Sequence, residues 1–98
     1  MTEVPQFLDG ARVLATADIR GATSSRRTRH TVDGLVVDGF AGLAITQYDA
    51  SPAVYLFYCD AAWNVVTDTC HDSVAAAREQ AFSECSPVEF IEFPFATD

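Results

Sequence analysis

The chain has 98 residues, 49% of them hydrophobic and 20% charged, a balance that predicts one folded domain over 1–98 and excludes a disordered chain. No apolar run approaches the roughly 20 residues that a membrane span needs, and the first ten residues lack the basic and apolar parts of a signal peptide, so we expect a cytoplasmic protein. Three widely spaced cysteines form no CxxC pair, which excludes a typical disulfide framework and predicts reduced thiols.

The net charge of −8 is unevenly distributed along the chain. Residues 1–30 hold five arginines and three acids, whereas residues 31–98 hold Arg78 alone and eleven acids. Such a field repels nucleic acid and membranes and favours a basic protein partner, although acids also serve simply to keep a small domain soluble. The absence of lysine beside six arginines favours a GC-rich bacterial source.

The first half of the chain predicts strands separated by polar turns. Residues 11–20 alternate loosely and predict a first strand, and residues 21–29 lack apolar periodicity and predict a mobile connection. Strands follow at 31–37 and 40–48, with Asp38-Gly39 between them as a hairpin turn.

The second half predicts a hairpin, a helix and a last edge strand. The apolar run 53–59 pairs with 64–69 across a turn at 60–63, which places Phe57 opposite Val66, Cys59 opposite Asn64 and His71 opposite Pro52. A helix begins after Asp72 or Ser73 as N-cap and ends at Ser86-Pro87, and residues 88–93 form the edge strand. The helical spacing predicts a buried face and a solvent face, made respectively of Val74, Ala77, Ala81, Phe82 and Cys85, and of Arg78, Glu79 and Glu84.

These elements together predict an α+β fold. It consists of an antiparallel sheet of five or six strands with one helix packed on one face, in the order β-β-β-β-β-α-β. The sequence contains none of the common phosphate-loop, nucleophile-elbow or metalloprotease motifs, so we expect neither a cofactor nor a resident metal, and the case for an enzyme is weak.

One candidate for chemistry is a thiol or metal site. The helix is long enough to run back toward the hairpin turn, which would bring Cys85 near Cys59, with His71 as a further candidate. Two cysteines buried in a core are the alternative. A Cys70-His71 site is disfavoured, because neighbouring side chains of a strand point to opposite faces.

Two further candidates concern binding. Trp63 in the hairpin turn, with Asp60, is either an exposed anchor for a partner or a side chain that folds over the helix end and closes the core. The loop 20–29 offers arginine side chains to a small anion or RNA, or else pairs with acids of its own surface; its partner-binding candidates are Arg26, Arg27 and Arg29, beside Arg20. Nucleic acid is the less favoured ligand, because the net charge is −8 and the loop carries no aromatic residue.

The segment YLFYCDAAWNVVTDTCH, followed by AAAREQAFSE, resembles a small uncharacterised bacterial protein family with a Tyr-Cys-Asp-x-x-Trp hairpin and a Thr-Asp-Thr-x-His entry to a helix. The resemblance covers residues 43–85 and implies a stand-alone bacterial protein without a known activity. The hairpin-then-helix layout is also similar to small antitoxin domains of the HicB type. We therefore expect a non-enzymatic interaction domain, of an immunity or antitoxin kind or self-associating, that binds a protein partner or a second copy.

Overall fold

The computed structural model describes residues 3–24, 30–37 and 39–92, and it confirms the α+β class with one helix packed on a mainly antiparallel sheet. The strands are β1 Phe7–Leu8, β2 Ala11–Asp18, β3 Thr23–Ser24, β4 His30–Val32, β5 Leu35–Val37, β6 Gly42–Gln47, β7 Val54–Cys59, β8 Val65–His71, β9 Cys85–Ser86 and β10 Ile91–Glu92. The helix, α1, spans Val74–Glu84.

The main sheet has the order β1-β2-β6-β7-β8, and every pairing in it is antiparallel. Strand β10 also pairs with β2, on the edge that β1 occupies, opposite Ala15 and Thr16. Two small sheets complete the structure, β3 with β9 and the hairpin β4–β5. Two short segments thus close the outer edge of β2, and β8 forms the other edge of the main sheet.

A break in register between Val13 and Ala15 lets β2 contribute to both faces of the sheet. Ala15 and Ala17 belong to a helix-side core, together with Ala77 and Ala81 of α1. Val13 lies in a second core on the opposite face, which we call the outer core; its buried members are Leu8, Ala11, Val13, Ala44, Phe57, Cys59 and Trp63. A bulge reverses the alternation of side chains, so one strand supplies small apolar residues to two cores.

Helix α1 begins at Ser73, whose hydroxyl accepts a hydrogen bond of 3.1 Å from the backbone N–H of Ala76. This cap confirms one of the two expected positions. The expected buried face is wrong in part, because Val74 is 38% and Phe82 51% exposed, while Glu84 is only 7% exposed. The contacting stripe runs through Ala77, Ala81 and Glu84, at spacings of four and three residues, and alanine lets the helix lie close to the sheet.

Two expectations about turns and edges are corrected. The β4–β5 hairpin turns at Asp33 and Gly34, with φ of 53° and 81°, rather than after residue 37, since an Asp-Gly pair supplies the two positive φ angles that a tight hairpin needs. Asp38 lies outside the described residues. Of the expected strand 88–93, only Ile91–Glu92 is strand, and residue 93 is not described.

The expected register of the β7–β8 hairpin is wrong by two residues. Phe57 lies opposite Asp68, and His71 lies opposite Val54. The turn is longer than expected, because Asp60 accepts hydrogen bonds of 2.9 Å from the backbone N–H groups of Ala62 and Asn64 and so keeps Asn64 in the turn. This offset of two keeps residues 67–71 on their expected face, but beyond a break in register Cys59 lies opposite Val65, one residue from the expected Asn64.

Candidate functional site

The turn at Asp60 is a tightly hydrogen-bonded structure with a buried tryptophan. Backbone and side-chain hydrogen bonds from Asn64 hold the pKa of Asp60 below its usual value. Trp63 has a φ of 64° and is 5% exposed within the outer core. The interpretation of Trp63 as an exposed anchor is therefore corrected: the ring closes a core, on the face opposite α1 rather than over the helix end.

The structure separates the two cysteines of the thiol or metal hypothesis. Cys59 is fully buried in the outer core, whereas Cys85 packs against the helix-side core. His71 lies at the far end of the β7–β8 ladder from Cys59, five residues away along the strand, or roughly 17 Å. Within the described ranges, no group of three or more His, Cys, Asp or Glu side chains is placed to hold a metal ion.

The buried thiol of Cys59 makes the protein sensitive to alkali. Burial, with smaller contributions from Asp60 and Asp9, raises the pKa of Cys59 from 9.0 to about 12. The neutral thiol is favoured in the folded state, so its contribution to stability is complete below pH 9 and is lost as the pH rises toward 12. We expect the free energy of unfolding to fall in that window, by at most about 1.4 kcal/mol per pH unit from this group.

Urea unfolding between pH 8 and 11 measures this loss. Cys59→Ala should fall less steeply than the wild-type protein, because it removes the buried thiol. Equal slopes for the two proteins would contradict the assignment.

The three arginines proposed for partner or anion binding, Arg26, Arg27 and Arg29, lie outside the described residues. The chain on both sides of these arginines is anchored near the C-terminal end of α1. Thr23 and Ser24 pair with Ser86 and Cys85 of β9, and His30 contacts Glu84. Arg20, the described member of the group, binds Asp18 through its guanidinium and lowers the pKa of that carboxyl to about 2.

A buried polar cluster lies where β4, β7 and α1 meet. Glu84 is 7% and His30 8% exposed, and His30 Nε2 lies 2.8 Å from Glu84 Oε1. The other carboxylate oxygen accepts hydrogen bonds from the hydroxyl of Tyr58 and, at 2.8 Å, from Nε2 of Gln80. The imidazole also contacts the rings of Phe40 and Tyr58, with centroids 5.3 and 4.1 Å away. Both carboxylate oxygens of Glu84 are therefore satisfied inside the protein.

The cluster extends across the sheet to β8. The hydroxyl of Thr69, whose strand pairs with that of Tyr58, lies 2.7 Å from Nε2 of the half-buried His71. Burial, followed by the hydrogen bond to Glu84, raises the pKa of Tyr58 well above its usual value of 10.0, so the phenol remains protonated and donates. The side chains of this cluster are of types that carry out acid-base catalysis. Their polar groups are buried and already hydrogen-bonded within the protein, so the cluster fits a structural contact between elements better than a substrate site.

Sequence reasoning missed this cluster. Glu84 follows two alanines of the contacting stripe, and its position three residues after Ala81 was the available signal. Nothing local in the sequence pairs it with His30, because 54 residues separate them. A lone histidine beside a polar loop is weak grounds for a buried partner.

The described acids include some that pair with an arginine and others that do not. Each described arginine lies within 4 Å of an acid: Arg12 of Asp49, Arg20 of Asp18 and Arg78 of Glu92. Four of the acids without an arginine lie on β8, in the turns at its two ends or on α1, and we call them the acidic edge: Asp60, Asp68, Asp72 and Glu79. Asp68, Asp72 and Glu79 are exposed, and none of the described arginines forms an ion pair with any of the four.

A surface pocket lies away from this edge, at the end of β2 and β6. Its volume is about 260 Å³, and its lining residues are Arg12, Leu14, Gln47, Tyr48, Asp49 and Ser51. Arg12 and Asp49 pair with each other at 3.3 Å across exposed surface, so their charges are already matched. The pocket offers an anion no unmatched cation among these residues.

No protein-family model matches the chain, and neither the curated proteins nor the solved structures contain a match to it. In the described part of the chain, no helix has both the length and the apolar character to cross a membrane. The site must therefore be judged on its own geometry.

Proposed function

We propose that the protein is a non-enzymatic interaction domain that binds a basic protein partner through the acidic edge. The surface of the partner is complementary in charge, and this complementarity guides association and excludes acidic competitors. A toxin with a basic active surface would be such a partner. An immunity or antitoxin role is therefore compatible with this proposal.

The observation that supports this proposal is the pairing of charge. The described arginines are matched by neighbouring acids, whereas Asp68, Asp72 and Glu79 have no described cation. These three exposed acids lie on β8, in its following turn and on α1, and they add negative charge that no described arginine neutralises. A basic partner gains this uncompensated interaction on binding.

An enzymatic or metal-binding role has weaker support. The thiols of Cys59 and Cys85 lie on opposite faces of the sheet, and the most suggestive titratable pair, His30 and Glu84, is buried. We therefore favour binding over catalysis.

A matched pair of double variants tests the proposal. Asp68→Lys with Asp72→Lys alters the acidic edge, whereas Glu3→Lys with Glu89→Lys makes the same change in net charge at exposed positions next to β1 and β10. Tagged proteins are used to capture partners from the host lysate at 50 and 500 mM salt, with identification by mass spectrometry.

We expect the wild-type protein and the control to retain a basic protein in stoichiometric amounts at low salt. The acidic-edge variant should lose at least about tenfold in retained partner, since two charge reversals oppose the partner's field. Equal retention by both variants, or capture that ignores salt, would show that the acidic edge is not the binding surface.

A further inference from the structure

The two outer edges of the main sheet differ in whether another strand covers them. The edge of β2 is covered by β1 at Ala11 and Arg12 and by β10 at Ala15 and Thr16. The edge of β8 pairs with no strand anywhere in 3–24, 30–37 or 39–92. Strand β8 has seven residues, a length of roughly 23 Å. Its outward backbone N–H and C=O groups form a template on which a further strand can pair.

The neighbourhood of this edge adds apolar contact surface. Strand β4 packs beside β8 without pairing with it, and its Val32 side chain is 36% exposed. An added strand would therefore find backbone partners on β8 and an apolar side chain nearby, the two components of peptide binding by strand addition.

Charge decides which strand can occupy the edge. Asp68 is exposed at the centre of Val65–His71, so two copies of β8 paired antiparallel over their full length would place Asp68 opposite Asp68. Like charges directly opposite each other destabilise a strand pair. Asp60 and Asp72 flank the strand and extend the same negative field. A second copy is therefore disfavoured, and a basic segment is favoured.

We propose that the free edge of β8 binds an extended, basic segment of the partner as an added strand. The inference rests on the proposed function and specifies how the partner is recognised. Backbone hydrogen bonds to β8 supply the docking geometry, and the acidic edge selects lysine or arginine on the incoming strand. Asp68 then has two effects, since it opposes self-pairing and attracts a basic strand.

A synthetic peptide of defined chemistry tests this mode. The probe is a capped seven-residue peptide that alternates lysine and valine, and its two controls have the same sequence with backbone N-methyl groups on alternate residues along one edge or along the other. All three peptides have equal charge, but each control cannot donate hydrogen bonds along its methylated edge. Binding is followed by NMR titration at low salt, together with amide hydrogen exchange of the protein.

We expect the unmodified peptide to bind and to slow exchange of amides within 65–71, and we expect N-methylation along the pairing edge to weaken binding at least about tenfold. Asp68→Lys should weaken it similarly, whereas Glu89→Lys, at an exposed site beside β10, should not. Unchanged thermal midpoints verify that both variants are folded.

Equal affinity for a peptide methylated along either edge, protection outside β8, or no binding would overturn strand addition. So would concentration-dependent protection of 65–71 in the protein alone, which would identify a second copy as the occupant. Each of these results would reject strand addition without rejecting the proposed function. The protein could still capture a basic protein in a salt-sensitive way without an added strand at β8.

Discussion

Replacing Glu84 by leucine is expected to lower the free energy of unfolding by about 3–5 kcal/mol, because loss of one partner from a buried polar pair leaves the others unsatisfied. The carboxylate is 7% exposed and interacts with His30, Tyr58 and Gln80. Small domains have total stabilities of about 5–15 kcal/mol, so this one change removes a large share. Urea denaturation at pH 7 measures the loss.

The same helix provides a matched control for this prediction. Glu79→Leu makes an identical chemical change at an exposed position five residues earlier and should change stability by less than about 0.5 kcal/mol. If the two variants differed by less than about 1 kcal/mol, Glu84 would not make the buried contacts described.

A double replacement separates the polar contacts from packing. His30→Phe combined with Glu84→Leu removes both partners and substitutes apolar groups in the contact with Phe40 and Tyr58. Because apolar replacement of a whole buried pair is often neutral, we expect the double variant to be more stable than Glu84→Leu alone. A double variant less stable than both single variants would show that packing, rather than unpaired polar groups, dominates.

The cluster matters for the placement of β3 and of the β4–β5 hairpin. The β3–β9 pairing and the contact of His30 with Glu84 hold these strands at the end of α1. Loss of the second contact should release the β4–β5 hairpin before the main sheet unfolds. Strand β4 packs beside β8, so we expect loss of the Glu84 contact to change the surroundings of the proposed binding edge.

Local patterns predicted the elements of the main sheet better than their contacts. The apolar run of β7 and the cap at Ser73 are short-range signals, and both occur where they were expected. Local patterns could not predict long-range contacts, because the partner of Glu84 is 54 residues away. The bulge in β2 that divides the two cores also has no local signal in the sequence. The hairpin register failed because Asn64 belongs to the turn, held there by Asp60.

The candidate site was harder to predict than the fold. An acidic surface is expected from composition, and the excess of acids in residues 31–98 predicts its sign. Which acids lack a nearby arginine depends on pairs such as Arg12 with Asp49, 37 residues apart, and only the folded sheet brings these together. Trp63 shows the same limit, since a tryptophan in a turn is equally compatible with a surface anchor and a core residue.

Replacing Trp63 by alanine is expected to destabilise the protein by about 3–5 kcal/mol, as for other buried aromatic residues. The ring is 5% exposed and shares the outer core with Leu8 of β1 and Phe57 of β7. Its removal leaves a cavity where the hairpin turn closes over the sheet. Thermal and urea unfolding measure the change, with Phe82→Ala as a matched control: Phe82 is 51% exposed, and its loss should cost about 1 kcal/mol or less.

Partner capture then distinguishes a core residue from an anchor. At a temperature where Trp63→Ala is still folded, the variant should retain a basic partner as well as the wild-type protein does, because Trp63 belongs to the outer core and not to the acidic edge. An anchor would behave in the opposite way, with lost capture and nearly unchanged stability. That second pattern would move the binding surface to Trp63 itself, and the first would leave it at the acidic edge.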